Sequence, residues 1–351
     1  MKKLHLIALV ALLSLAATSC KKDIDDLGTF SEGIYQPSFR IASIQQNGSP
    51  LETWNWGSAK LSSISLPQEG ATLAFSYNGD QIGSVVITKP GTDMQTISYS
   101  YGGSKLTKVE VVNGTRTDIS MQINHNADDK ISNLRLDFSD QYLVDLAFGM
   151  LGSLKTLGSL IGDQNARTIA QAAKSLCPKS NPEKYSISNK SFTMTYVWND
   201  DDDLTQTVLS GNVTATATLA DVGNFIDLGA LQSILSMIGS DIEFPLSVTV
   251  NQTTNYTYDD KNNPFYCLYR NTIDASNLSK HNLLNAVASG AADMSLTLTI
   301  PSDIPIMGGM TYPLNRAIDL SGSDTYTYTY NKKNLPETYT LNGSSFSIIY
   351  E

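Results

Sequence analysis

The chain has 351 residues and a formal net charge of −10. That acidic balance lacks the basic footprint that nucleic acid or an anionic lipid surface demands. The 17 tyrosines, among abundant Thr, Ser and Asn, favour strands over helices.

The N-terminus comes first. Lys2 and Lys3 precede an apolar run from Leu4 to Ala17, broken only by His5 and Ser14. The run is shorter than the ~20 residues needed to cross a bilayer. A basic start, a short apolar stretch and small residues (Ala17, Thr18, Ser19) make a secretory signal over residues 1–19. With Cys20 next, the segment resembles the lipobox of bacterial lipoproteins, although Ala17 stands where Leu is commonest. The resemblance implies cleavage before Cys20 and diacylglyceryl attachment to it, hence an outer-membrane lipoprotein whose membrane partner is reached through that lipid. Loss of residues 1–19 would remove two lysines and no acids, leaving 332 residues (351 less 19) and a charge of −12. Residues 20–33 read as the tether. Its start, Lys21-Lys22-Asp23-Ile24-Asp25-Asp26, resembles the surface-export signal of Bacteroidota lipoproteins, which implies exposure at the cell surface; a merely solvated tether has the same composition.

From about residue 34 onward one unit recurs: two aromatics at i and i+2, a polar turn, then an apolar position. Copies are Phe75-Ser76-Tyr77 leading to Ile82, Tyr99-Ser100-Tyr101 leading to Leu106, Tyr256-Thr257-Tyr258, and Tyr328-Thr329-Tyr330 leading to Leu335. Weaker versions are Tyr196-Val197-Trp198 and Met121-Gln122-Ile123. Residues two apart share one face of a strand. Asn, Asp and Gly supply the turn, and the apolar alternation that follows is the returning strand. Asn113-Gly114 and Asn342-Gly343 add tight hairpin signals. The expected fold is therefore mainly β: one large antiparallel curved sheet or barrel-like meander over 34–351. Pro178, Asn181 and Pro182 mark a weaker possible division near 180. These units resemble the Tyr-Asp hairpin repeats of Bacteroidota outer-membrane lipoproteins. The resemblance implies a curved or closed sheet around an apolar interior and transfers no catalytic residue.

Three segments break the pattern and read as helical insertions. In Gln141–Ser175, Leu143, Ala147, Leu151 and Leu154 fall at helical spacing. In Asn224–Ile238, Leu228, Leu231, Leu235 and Ile238 do so, and in Asn277–Ala292, Leu283, Leu284, Val287 and Ala291. Their broad apolar faces must be buried. They either fill a core or, with aromatic strand faces, line a cavity for a lipid-like ligand, which makes Leu151 and Leu154 candidate contacts. Trp54 and Trp56 are the other candidates, as core or as stacking surfaces for a glycan.

Catalytic and metal chemistry is not signalled. After Cys20, Cys177 and Cys267 are too few and too far apart for a zinc site; they are either a disulfide or two free thiols. His125 and His281 stand in no ligand or nucleophile motif. Asp200-Asp201-Asp202-Asp203 does not fit a hand-type calcium loop, since Leu204 and Ser210 fall where glycine and glutamate are needed, so it reads as a solvated turn. The expectation is a non-enzymatic envelope protein with no cofactor and no metal, which binds a lipid-like ligand. A glycan-binding or adhesive surface protein, or a structural partner in an envelope complex, is the alternative.

Overall fold

A computed structural model describes residues 28–31, 34–37, 39–58, 60–79, 81–91, 94–147, 163–176, 187–218, 243–266, 278–299 and 309–351. Cys20, Leu151, Leu154, Cys177, Cys267 and the segment 224–238 lie outside these residues.

Strands β1 (Gly28–Ser31) and β2 (Ile34–Pro37) form a separate hairpin. The main sheet begins with β3 (Ile41–Gln46), β4 (Ser49–Trp56), β5 (Leu61–Leu66), β6 (Ala71–Asn78) and β7 (Gln81–Thr88). It continues with β8 (Gln95–Gly102), β9 (Lys105–Asn113), β10 (Arg116–His125) and β11 (Ile131–Phe138). Helices α1 (Asp140–Ala147) and α2 (Asp163–Leu176) follow. The longest strands come next: β12 (Ile187–Trp198), β13 (Leu204–Thr218), β14 (Glu243–Asn262) and β15 (His281–Thr299). The last are β16 (Thr311–Asp319), β17 (Gly322–Tyr330), β18 (Pro336–Leu341) and β19 (Ser344–Tyr350).

Neighbours pair antiparallel throughout, and β19 returns to pair with β3, closing a barrel. β16 and β17 lie end to end against β15 in one continuous register, Thr299↔Thr311 through Asn285↔Thr325. They occupy a single strand position, so the barrel has sixteen. The third predicted helix is corrected here: residues 281–299 are strand β15. Ala286, Ala288, Gly290 and Ala292 alternate on its inner face, where α2 packs through Ala166, Ile169, Ala172 and Ala173. Close helix packing requires small residues there, and their run mimics helical composition. Of the first predicted helical segment, the described residues form helices α1 and α2, and 148–162 lie outside the described residues. Ser139 starts α1 by accepting the Tyr142 N–H on its Oγ at 3.1 Å.

Two adjacent rows of residues fix which side faces inward. One row runs Phe192–Leu136–Met121–Val109–Tyr99 across five strands, and every member is buried. One residue along, the opposite face reads Ser191–Asp137–Ser120–Glu110–Ser98–Ser84–Ser76 across seven strands. The buried apolar clusters of β3–β5, β7–β15 and β19 form on the face of the first row and the helices pack on it, so the apolar face is the inner one. The described residues of β16–β18 are mostly half-buried or exposed. The outer wall is polar elsewhere too: Thr327 meets Thr340 and Thr329 meets Thr338, hydroxyl to hydroxyl at 2.6 Å. A membrane-spanning barrel has the reverse polarity, with an apolar band outside. This wall is built to face water.

The repeat unit proves to be a rung. At one rim of the barrel an inward aromatic, in three of the units the second ring and in the fourth the first, lies across to the neighbouring strand and donates to a carbonyl at or near its start. Tyr77 reaches Leu61 O (2.8 Å), Tyr101 reaches Ile82 O (3.0 Å) and Tyr258 reaches Leu204 O (2.6 Å). Tyr328 reaches Leu283 O (2.9 Å) and Tyr350 reaches Pro336 O (2.8 Å). Trp56 and Trp198 do the same through indole N–H, to Ile41 O and Ile131 O, both at 2.8 Å. Carbonyls at strand starts are thereby satisfied. The eighth strand pair, β9–β10, carries His125 at the equivalent place. Rim cations sit over three rungs: Arg40 over Trp56, Lys60 over Tyr77 and Lys130 over Trp198.

Turns at this rim share chemistry as well. In Asn126–Lys130, Asn199–Asp203 and Asn331–Leu335 the leading Asn Oδ1 accepts two backbone N–H groups, at i+2 and i+4. The fourth residue, Asp129, Asp202 or Asn334, takes a left-handed φ of 58–66°. Asn and Asp tolerate that conformation best after glycine.

Candidate functional site: the lumen between two apolar clusters

Sixteen strands enclose more space than strand side chains alone can fill. The buried residues divide accordingly into two clusters. The larger gathers β7–β15 with α1 and α2. The smaller consists of Ile41, Ile44, Trp54, Leu61, Ile64 and Ile348 on β3, β4, β5 and β19. Leu73 and Phe75 of β6 touch both clusters and are only partly buried. On the other flank stands an aromatic array facing the same interior. Tyr328 lies 6.3 Å from Tyr326, 6.0 Å from Tyr330 and 6.1 Å from Tyr339, and Tyr339 stacks on Phe346 at 4.8 Å. These rings are half-buried on the inward side of their strands. Desolvation pushes the hydroxyls of Tyr328 and Tyr339 well above the ordinary tyrosine range.

Trp54 and Trp56 both face inward. Trp54 is 4% exposed, and the two rings sit 6.2 Å apart. Phe265 packs on Trp54 at 6.3 Å. Since Phe265 follows β14, on another sector of the wall, its chain reaches over the rim to meet β4. The sequence singled out these tryptophans but missed Phe265, the aromatic array and Glu52. Glu52 is the one acid of β4, two residues from Trp54, and strand alternation alone places it on the apolar face. It accepts the Trp54 indole N–H on Oε2 at 2.8 Å, directly opposite Ile44.

The aspartate run is not an open cation site. Asp202 is bridged by Lys130 (2.6 Å) and by Lys280. Burial pushes its carboxyl up, but hydrogen bonds and charge from the two lysines outweigh that and hold it below the usual carboxylate range. Asp203 is buried and takes His281 Nδ1 at 2.7 Å. Asp259 beside it accepts Lys261 N at 2.9 Å, both nitrogens of Asn282, and Tyr330 OH. This network ties β11, β13, β14, β15 and β17 together along the rim. His125 is held below the ordinary histidine range by burial and by the charge of Lys105. Among the described residues no group of three or more His, Cys, Asp or Glu is placed to hold a metal. An open hollow of about 370 Å³ lies on the outer wall by Thr72, Thr88, Lys89 and Met94, away from the lumen.

No family model matches the chain, and no curated protein does. Among solved structures it is similar to a porin-like protein from Bacteroides vulgatus ATCC 8482, at TM-score 0.38 and 9% identity, over 89% of this chain and 98% of the other. It is also similar to a porin-like protein from Bacteroides uniformis ATCC 8492, at TM-score 0.33 and 10% identity, over 89% and 98%. Likeness at this level carries no argument about the chain's role.

Proposed function

We propose that the protein is a non-enzymatic lipoprotein of the bacterial outer membrane, anchored through Cys20 and exposed at the cell surface, which holds an apolar or amphipathic ligand inside its barrel. One observation carries the reading. A sixteen-stranded wall is apolar inside and polar outside, and partly accessible aromatic rings stand between its two buried clusters. Water in such a lumen would be poorly solvated, so the interior favours a molecule that covers the rings. An anchor at Cys20 suits a barrel whose own wall offers lipid no apolar band. A glycan-stacking row would need outward aromatics, whereas Trp54, Trp56 and the Tyr326–Tyr328–Tyr330 series face inward.

Native mass spectrometry of the Cys20→Ser protein, purified from a bacterial envelope without detergent, tests this. A stoichiometric adduct that organic solvent extracts is the expected result. A protein of bare sequence mass that takes up no added long-chain alcohol, ether or fatty acid would overturn the reading.

A further inference from the structure

Resting on that reading, we propose that Glu52 and Tyr339 form the polar end of the lumen site, selecting an apolar ligand that carries a hydroxyl or ammonium donor over one that carries a carboxylate. Glu52 stands on the inner face of β4, across from Ile44, which in turn pairs with Ile348. Both isoleucines are buried members of the smaller cluster. Its Oε2 accepts the Trp54 indole N–H at 2.8 Å, while its Oε1 has no hydrogen bond among the described residues. No lysine, arginine or histidine compensates it; the charged group that acts on it is another acid, Glu69. Glu52 is half-buried, and its one hydrogen-bond partner among the described residues is the neutral indole of Trp54 rather than a cation. Apolar neighbours with no cation mark a group whose second partner comes from outside the chain.

The Tyr339 hydroxyl supplies an independent observation. Its ring is fixed between Tyr328 and Phe346, at 6.1 and 4.8 Å, yet the hydroxyl makes no hydrogen bond among the described residues. Tyr339 packs against the smaller cluster, whose members Trp54 and Ile44 are the hydrogen-bond and cross-strand partners of Glu52, and the carboxylate charge adds to the desolvation that raises its titration. Both groups face one lumen and leave one acceptor lone pair, and a rotatable hydroxyl, unsatisfied. A ligand hydroxyl can donate to Glu52 while accepting from Tyr339; an ammonium can donate to both. A carboxylate would meet an acid, in a region where burial already pushes Glu52 above the ordinary carboxylate range.

Binding of dodecanol, dodecylamine, dodecanoate and dodecyl methyl ether to the Cys20→Ser protein, followed by tryptophan fluorescence, tests the assignment. The alcohol and the amine are expected to bind about tenfold tighter than the ether, as one charge-assisted hydrogen bond allows, and the carboxylate weakest. Adding Glu52→Leu should reduce the alcohol and the amine to the affinity of the ether and leave the ether unchanged. Tyr339→Phe, which removes only a hydroxyl, should weaken both the alcohol and the amine, since each uses that hydroxyl. Equal binding of all four, or preference for dodecanoate, overturns the role of Glu52 and Tyr339 while leaving an apolar site standing. If none of the four binds, the ligand-holding reading fails and this assignment falls with it.

Discussion

Residue by residue, the barrel is organised by what its tyrosines and tryptophans do with their polar ends. A ring on the inner face contributes apolar area, and its O–H or N–H donates to a carbonyl at a strand start. Tyr77→Phe keeps the ring and removes the bond to Leu61 O. It is expected to lower stability by about 1 kcal/mol, more if the carbonyl stays dry; an unchanged urea midpoint would show that the rung is ornamental. The same residues predict an alkaline limit. Burial pushes Tyr77 up to about 12, and holds Tyr99, Tyr101, Tyr328, Tyr330, Tyr339 and Tyr350 well above their ordinary value. A folded-state pKa above the unfolded one means that the stabilisation is complete below about pH 10 and is lost as pH rises toward 12. The urea midpoint should therefore fall between pH 9 and pH 11, on the order of the tyrosine titration window, with tyrosinate absorbance rising only as the protein unfolds. Tyrosinate appearing near its ordinary pH in folded protein would contradict the burial.

Among the elements, the hairpins were legible and the helices only partly so. The units at Phe75, Tyr99 and Tyr328 are tight hairpins, because an alternating strand and an Asn- or Gly-led turn are local devices, whereas the unit at Tyr256 pairs with β15 across a longer connection. Residues 281–292 carry apolar side chains at helical spacing but form strand β15, because their pairing partners β14, β16 and β17 are set by the closed sheet and not by local periodicity. The strand is now the sharper prediction. A Cβ on Gly290 would fall within 3.0 Å of the Asn251 carbonyl oxygen and the Gln252 Cα, both backbone atoms that cannot swing away. Gly290→Ala should cost about 1–3 kcal/mol, whereas Ser289→Ala on the outer face should cost almost nothing; equal thermal midpoints for the two would contradict the packing. Pro313 shows the complementary economy. β16 pairs only with β15 among the described strands, and a proline there leaves the free edge a poorer template for another chain.

Across the whole molecule, the barrel's size and its polarity together define the interior. Sixteen-stranded porins enclose water; here the inward rows across β10–β12 are Leu, Ile, Met and Phe, and the outward rows beside them are rich in Ser, Asn, Gln, Asp and Arg. Strand alternation makes this choice all or nothing, because a shift of one residue would exchange the two sets. That polarity was readable from the sequence only as alternation. Which set turned inward became decidable once β19 was seen to close on β3 and the helices to pack on the apolar side. Glu52 was illegible for a related reason: a single acid in a strand is unremarkable until the face it occupies is known. The most direct test of this polarity is a Triton X-114 phase partition of the Cys20→Ser protein, with circular dichroism confirming that it stays folded. The account predicts a folded, β-rich protein in the aqueous phase, and transfer to the detergent phase only when lipidated Cys20 is present. A folded Cys20→Ser protein that enters the detergent phase on its own would mean that the wall is apolar outside, and would contradict it.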